Sequence, residues 1–168
     1  MYRKVVRKQP NSKSCLVCGM KNPFGLKGAF YELDNGELLC RFDSLEEHQS
    51  YPGRLHGGIA AAILDETIGR AIMMGTDEEI WGVSVEFTIR YKRSIPLKEP
   101  LRVLGRITKS GGRVFEGSGE ILLEDGSVAA EGRGRYLKMP LESIGEFDRD
   151  EQEWRIVEHG DDAQGFEL

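Results

Sequence analysis

The chain has 168 residues, 39% of them hydrophobic and 30% charged, which fits one compact domain with a real core plus short appendages. This composition excludes a disordered chain, a collagen-like repeat and a disulfide mini-protein, and the odd number of cysteines (Cys15, Cys18, Cys40) does not describe an oxidised framework. With 23 Lys and Arg against 28 Asp and Glu, the net charge of -5 offers nothing to a nucleic-acid backbone, and no stretch approaches the roughly 18 apolar residues of a membrane span. The expected setting is cytoplasmic, with neither nucleic acid nor membrane as a partner.

In chain order, residues 1–21 read as a basic N-terminal arm. Met1 to Lys13 carries five basic residues with no apolar run behind them, and Cys15-x-x-Cys18 follows. That pair has zinc-ligand spacing, but no second pair or nearby His follows to complete a four-ligand site. The expectation is therefore a reduced, packed pair and no metal. Residues 22–138 read as the domain proper. Asn35-Gly36 separates LKGAFYEL from ELLCRF, Gly111-Gly112 is a second hairpin signal, and Asp125-Gly126 separates FEGSGEILLE from SVAAEGRGRYLKM. Val83, Val85, Phe87, Ile89 and Tyr91 alternate with Ser84, Glu86, Thr88 and Arg90, the period of a half-buried strand, and Leu101, Val103, Gly105 and Ile107 repeat it. Cys40 falls in a strand and reads as core.

One segment breaks that rhythm. HGGIAAAILDETIGRAIMMG, from His56 to Gly75, is apolar on nearly every side, opens on Gly57-Gly58 and ends on a glycine, so it reads as a single buried helix. A lone buried helix among hairpins needs the sheet to curl around it. The predicted fold is α+β, an antiparallel sheet of five to six strands around one long helix. Residues 139–168 hold ten acidic residues against Arg149 and Arg155, leaving 21 basic and 18 acidic residues before them. This segment reads either as a short docked helix near Asp150 to Glu158 or as a solvated acidic tail.

A buried helix that carries charge needs partners for it. Glu66 and Arg70 stand four apart in the favourable order and pair with each other. Asp65 has only Ala61, Ala62, Ile68 and Gly69 at helical spacing, so it either meets a donor from another strand or subunit or acts chemically. At the helix N-terminus, the free N–H groups of Gly57 and Gly58 can stabilise developing negative charge, and the missing side chains let a carbonyl approach. Gly57-Gly58 serving only to permit close packing is the competing explanation.

RLHGGIAAAILDETIGRA resembles the central helix motif of hotdog-fold acyl-CoA thioesterases of the PaaI-like group, and GVSVEFTIRYKRSIPL looks like the strand that follows it there. The likeness runs over roughly Asn22 to Lys138. It implies that Asp65 is the catalytic carboxylate, that Gly57 or Gly58 polarises the thioester carbonyl, and that Ser84 lies near the attacking water. Some members carry Asn six residues before the His of HGG, where this chain has Ser50, with Gln49 and His48 just before it; any of the three could position the water. No metal or redox cofactor is implied. CLVCGMKNPFGL also resembles a leader found in some hotdog relatives.

Geometry adds a requirement. Gly57 and Asp65 are eight residues apart, about 12 Å along a helix at about 1.5 Å per residue, too far to serve one carbonyl and its water. The amide of one subunit must therefore meet the Asp of another, which makes a homodimer necessary and a tetramer compatible. His56 is placed to cap the helix or orient a loop, and His159 lies in the acidic segment without a triad partner. Arg90, Lys92, Arg93, Lys109 and Arg113 read singly as a solvated face and together as a receptor for coenzyme A phosphates. The expected substrate-contacting set is thus His48, Gln49, Ser50, His56, Glu66, Ser84, Arg90 and Arg113. The leading reading is hydrolysis of an acyl-CoA, with an aromatic or medium-chain acyl group suiting a pocket between helix and interface. A non-catalytic acyl-CoA-binding or regulatory module is the alternative, ahead of a hydratase or dehydratase, which would use His.

Overall fold

The computed structural model describes residues 1–76 and 79–168. Eight strands form one antiparallel sheet: β1 (Tyr2–Lys8), β2 (Ala29–Leu33), β3 (Leu38–Asp43), β4 (Ile80–Tyr91), β5 (Pro100–Gly111), β6 (Val114–Leu122), β7 (Val128–Pro140) and β8 (Gly165–Glu167), in the order β4-β7-β6-β5-β3-β2-β1-β8. The helix α1 (Gly57–Arg70) continues as a tighter turn over Ala71–Gly75 and packs on β3 to β7. This is the hotdog arrangement of one long helix held by a curved antiparallel sheet. The count is eight strands rather than five to six, because β1 and β8 lie in the segments read as an arm and a tail.

Packing explains both additions. β1 pairs with β2 and then with β8, and Phe166 lies 5.3 Å from the Tyr31 ring, on the side of the sheet where Leu33, Leu39, Leu104 and Leu122 are buried. The main core, with Ile63, Leu64, Ile68, Phe115 and Tyr136, lies against α1. In the acidic segment no helix forms near Asp150 to Glu158, and the chain there is docked at points along an otherwise largely exposed course. Trp154 anchors it, being buried against Trp81 at 4.8 Å, because an indole of that area is not left in water. Among the described residues no helix is long and apolar enough to cross a membrane.

Glycines make room for the helix. Gly105, Gly119 and Gly132 stand in register across β5, β6 and β7, and a Cβ on Gly105 would lie 2.8 Å from the Thr67 carbonyl oxygen. Gly105 keeps the strand alternation predicted for it, but what occupies its side-chain space is the backbone of α1. Gly105→Ala therefore forces the helix away from the sheet and is expected to destabilise the fold by about 1–3 kcal/mol. Chemical denaturation measures this directly, as a lower midpoint at unchanged slope.

Candidate active site

At the start of α1, His56 is the N-cap, with extended backbone, and its Nδ1 accepts the Gly58 N–H at 2.9 Å. In the neutral ring the proton then sits on Nε2. Gly58 is thereby committed to capping, whereas the Gly57 N–H meets no acceptor among the described residues. Tyr91, at the end of β4, donates to the Gly57 carbonyl at 2.6 Å, and a Cβ on Gly57 would come within 3.1 Å of that phenol oxygen. A cavity of about 430 Å³ opens here, lined by Gly57, Ser50, Arg54, Tyr91, Lys92 and Arg93.

The three candidates before the HGG are used differently. His48 is buried and both ring nitrogens are consumed: Nδ1 accepts from the Leu45 N–H at 2.9 Å and Nε2–H donates to the Phe24 carbonyl at 2.6 Å. Its carbonyl also accepts the His56 N–H at 2.8 Å, so His48 ties the loop to the helix start. Gln49 Oε1 accepts from Gly53 N–H at 2.9 Å inside the loop turn. Only Ser50 is exposed beside Gly57 in the cavity.

Asp65 lies two turns on, half-buried, facing a different cavity of about 440 Å³ that Glu66, Ser84, Trp81, Cys15 and Cys18 also line. Ser84 Oγ donates to its two carboxylate oxygens at 2.8 and 2.9 Å, and the Tyr136 hydroxyl reaches Oδ1 at 3.1 Å. Ser84 and Tyr136 are opposed residues of β4 and β7, so strand pairing aims both hydroxyls at one side chain. Burial, and next the charge of Asp65, push the Tyr136 phenol well above its ordinary range, so it remains a donor.

The strand does not keep the alternation read from the sequence. A bulge between Ser84 and Glu86 leaves Val85 56% exposed, and it exchanges the faces of β4. Gly82 and Ser84 face the helix before it; Phe87 packs in the core and Tyr91 reaches Gly57 after it. Simple alternation would have put Ser84 on the face away from Asp65.

Glu66 forms the expected pair, with Arg70 Nε at 2.8 Å from Oε1, and its other oxygen accepts from the Cys15 thiol at 3.2 Å. Arg70 is itself buried, 4.2 Å from the Phe30 ring centre and donating to the Pro10 carbonyl at 2.9 Å. The structure does not bring Arg90 and Arg113 together. Arg90 stands opposite Glu131 towards the Gly57 end of β4, while Arg113 sits in the β5–β6 turn beside Lys138, which pairs with Gly82 at the other end. Sequence reasoning missed Tyr136 and Trp81; Tyr136 carries no local signal, because its role depends on the β4–β7 register.

Comparison with known proteins agrees with this fold. The family model described as the thioesterase superfamily matches residues 52–130, from the loop before α1 through to β7. Two relatives, both called acyl-coenzyme A thioesterase 13, are similar. The mouse protein is 30% identical over 98 residues, 58% of this chain and 69% of that protein. The human protein is 32% identical over 76 residues, 45% of this chain. The chain spans about half, 54%, of the human relative's length. A solved thioesterase superfamily protein superposes with a TM-score of 0.67 at 28% identity, covering 73% of this chain and 59% of that one. A hypothetical thioesterase protein of Streptococcus pneumoniae solved with coenzyme A shares the fold at 17% identity and a TM-score of 0.57, over 62% of this chain and 82% of that one. With the helix, the sheet order and these similarities in hand, the chain belongs to the hotdog-fold thioesterase superfamily.

Proposed function

We propose that this chain hydrolyses an acyl-CoA thioester in a site shared by two copies of itself. The observation that carries the reading is the division of the chemistry along α1: a carboxylate oriented by two hydroxyl donors at one position, and an uncommitted helix N-terminal N–H eight residues before it. In the reaction, Asp65 draws a proton from water as the water oxygen attacks the carbonyl carbon. Charge gathers on the carbonyl oxygen, where the Gly57 N–H and the positive end of the helix stabilise it. Collapse breaks the C–S bond, and the proton held by Asp65 passes to the departing coenzyme A sulfur. Direct attack by an Asp65 oxygen is the variant in which an anhydride is formed and then hydrolysed.

The edge position of β4 supports the pairing. β4 runs from Ser84, which holds Asp65, to Tyr91, which holds Gly57. A two-fold related copy adding its own β4 antiparallel to this edge sets the Ser84 end of one strand near the Tyr91 end of the other. Asp65 of one copy then approaches Gly57 of its partner. Arg54, Lys92 and Arg93 around the Gly57 cavity give phosphate groups of coenzyme A a place to dock, and the coenzyme A in the structure of the S. pneumoniae hypothetical thioesterase protein supports that ligand class.

The test is thiol release by purified protein across acyl-CoA esters of graded chain length and aromatic character. Coenzyme A binding without release from any ester would favour the binding-module reading. Tyr136→Phe offers a finer check. The ring keeps its stacking on Phe115 at 4.9 Å, and only the donor to Asp65 is lost. With the carboxylate less firmly oriented, kcat is expected to fall about tenfold at an unchanged KM, the size of one hydrogen bond to a charged group.

A further inference from the structure

We propose that Cys15, Cys18 and Glu66 form a binding site for a thiophilic divalent cation, zinc by preference, with its fourth position open to the cavity beside Asp65. The three ligand atoms lie within 4.8 Å of one another. Tetrahedral zinc, with bonds of about 2.3 Å to sulfur and about 2.0 Å to oxygen, holds such atoms about 3.5 to 3.8 Å apart, so small side-chain adjustments close the set. The sequence offers two of the ligands through the Cys-x-x-Cys spacing. The fold adds the third, from a residue whose pairing with Arg70 otherwise accounts for it fully.

What distinguishes this cluster from two packed thiols is that every ligand has its own orienting donor. The Val17 and Cys18 N–H groups both point at Cys15 Sγ, at 3.3 and 3.5 Å, the arrangement that stabilises sulfur carrying negative charge. Ser12 Oγ lies 3.2 Å from Cys18 Sγ. Arg70 holds the far oxygen of Glu66 at 2.8 Å and leaves the oxygen nearer Cys15 for a metal. Outer-shell partners of this kind fix the ligands of metal sites. The turn is also fixed: Gly19 N–H donates to the Cys15 carbonyl at 2.9 Å, and a Cβ on Gly19 would come within 2.3 Å of that oxygen.

Charge supports the same occupant. Binding displaces the thiol protons, including the one Cys15 gives to Glu66, and the resulting two thiolates and carboxylate beside the guanidinium of Arg70 sum to two negative charges, which a divalent cation cancels. Cys18 is 2% exposed, yet both cysteines line the cavity of about 440 Å³, which supplies an entry path and room for a solvent-derived fourth ligand. Bound metal would fasten the segment around Cys15 to α1 next to Asp65, and binding coupled to the folded state raises thermal stability.

The experiment reads metal rather than turnover, so its outcome is independent of the hydrolase reading. Protein stripped with a chelator and kept under a non-thiol reductant is titrated with Co²⁺. One equivalent is expected to give thiolate-to-cobalt charge-transfer absorption, displaced by one equivalent of Zn²⁺, with a higher Tm than the stripped protein. Cys18→Ser should abolish the band, Glu66→Gln should weaken affinity at least tenfold, and Ser12→Ala should weaken it by about 10–100-fold. Cys40→Ala, which alters only the cysteine buried in β3, should retain the band. Absence of the band in the unmodified protein, or its survival in Cys18→Ser, overturns the site. Should Cys18→Ser not fold, unchanged Co²⁺ affinity in both Glu66→Gln and Ser12→Ala overturns it equally, since both keep the two thiols.

Discussion

Asp65→Asn is expected to lower kcat for the best acyl-CoA substrate by about 10²–10⁴-fold, the range that general-base catalysis supplies, while KM changes little. The substitution is nearly isosteric. The Asn carbonyl oxygen still accepts from the Ser84 and Tyr136 hydroxyls that reach Asp65 at 2.8 and 3.1 Å, so the local packing has no reason to change. What is lost is the capacity to take a proton from water. Circular dichroism and size-exclusion profiles should therefore match the unsubstituted protein while thiol release collapses. Glu66→Gln should be milder for turnover, because its oxygens already serve Arg70 and Cys15. Near-normal kcat in Asp65→Asn, or a larger loss in Glu66→Gln, would remove Asp65 from the chemical step.

How far the sequence reached depends on the range of the interactions involved. Local determinants were legible. Asn35-Gly36, Gly111-Gly112 and Asp125-Gly126 close the β2–β3, β5–β6 and β6–β7 hairpins, and Gly36, Gly112 and Gly126 carry the positive φ that made them turn signals. The start of α1 follows from Gly57-Gly58 and the capping His56, and the Glu66–Arg70 pair from helical spacing alone, whereas the α-helix ends at Arg70 and only a tighter turn reaches Gly75. Long-range determinants were not. Tyr136 meets Asp65 because the β4–β7 register opposes it to Ser84, and the bulge that turns Ser84 towards the helix leaves no mark in an otherwise alternating strand. β1 and β8 escaped detection because each is short or half-polar and takes its partner from a distant segment, β8 as the edge strand and β1 between it and β2. His48 shows the opposite failure: its residue type invites a chemical role, but the fold spends both nitrogens on backbone groups.

The proposed two-chain site makes its strongest demand on mixed dimers. Gly57→Pro removes the uncommitted N–H at the first position of α1, where proline is well tolerated, and the extended backbone of His56 suits a residue preceding proline. Gly57→Ala is the steric control: it keeps the N–H but places a Cβ near the Tyr91 phenol, so it separates crowding from loss of the donor. Alone, Gly57→Pro should lose about 10²–10³-fold in kcat, the effect of deleting one oxyanion donor, and Asp65→Ala should be at least as impaired. When the two inactive proteins are dissociated and reassociated together, half of the dimers are mixed. In each mixed dimer the Gly57 N–H of one chain meets the Asp65 of the other at one site, and the second site carries both defects. Recovery is therefore expected to reach about a quarter of the unsubstituted activity for random exchange in a two-fold dimer. A site built within one chain gives no recovery under the same exchange, because every chain in the mixture is defective. Native mass spectrometry of the exchanged sample, alongside thiol release, distinguishes that outcome from subunits that never mixed.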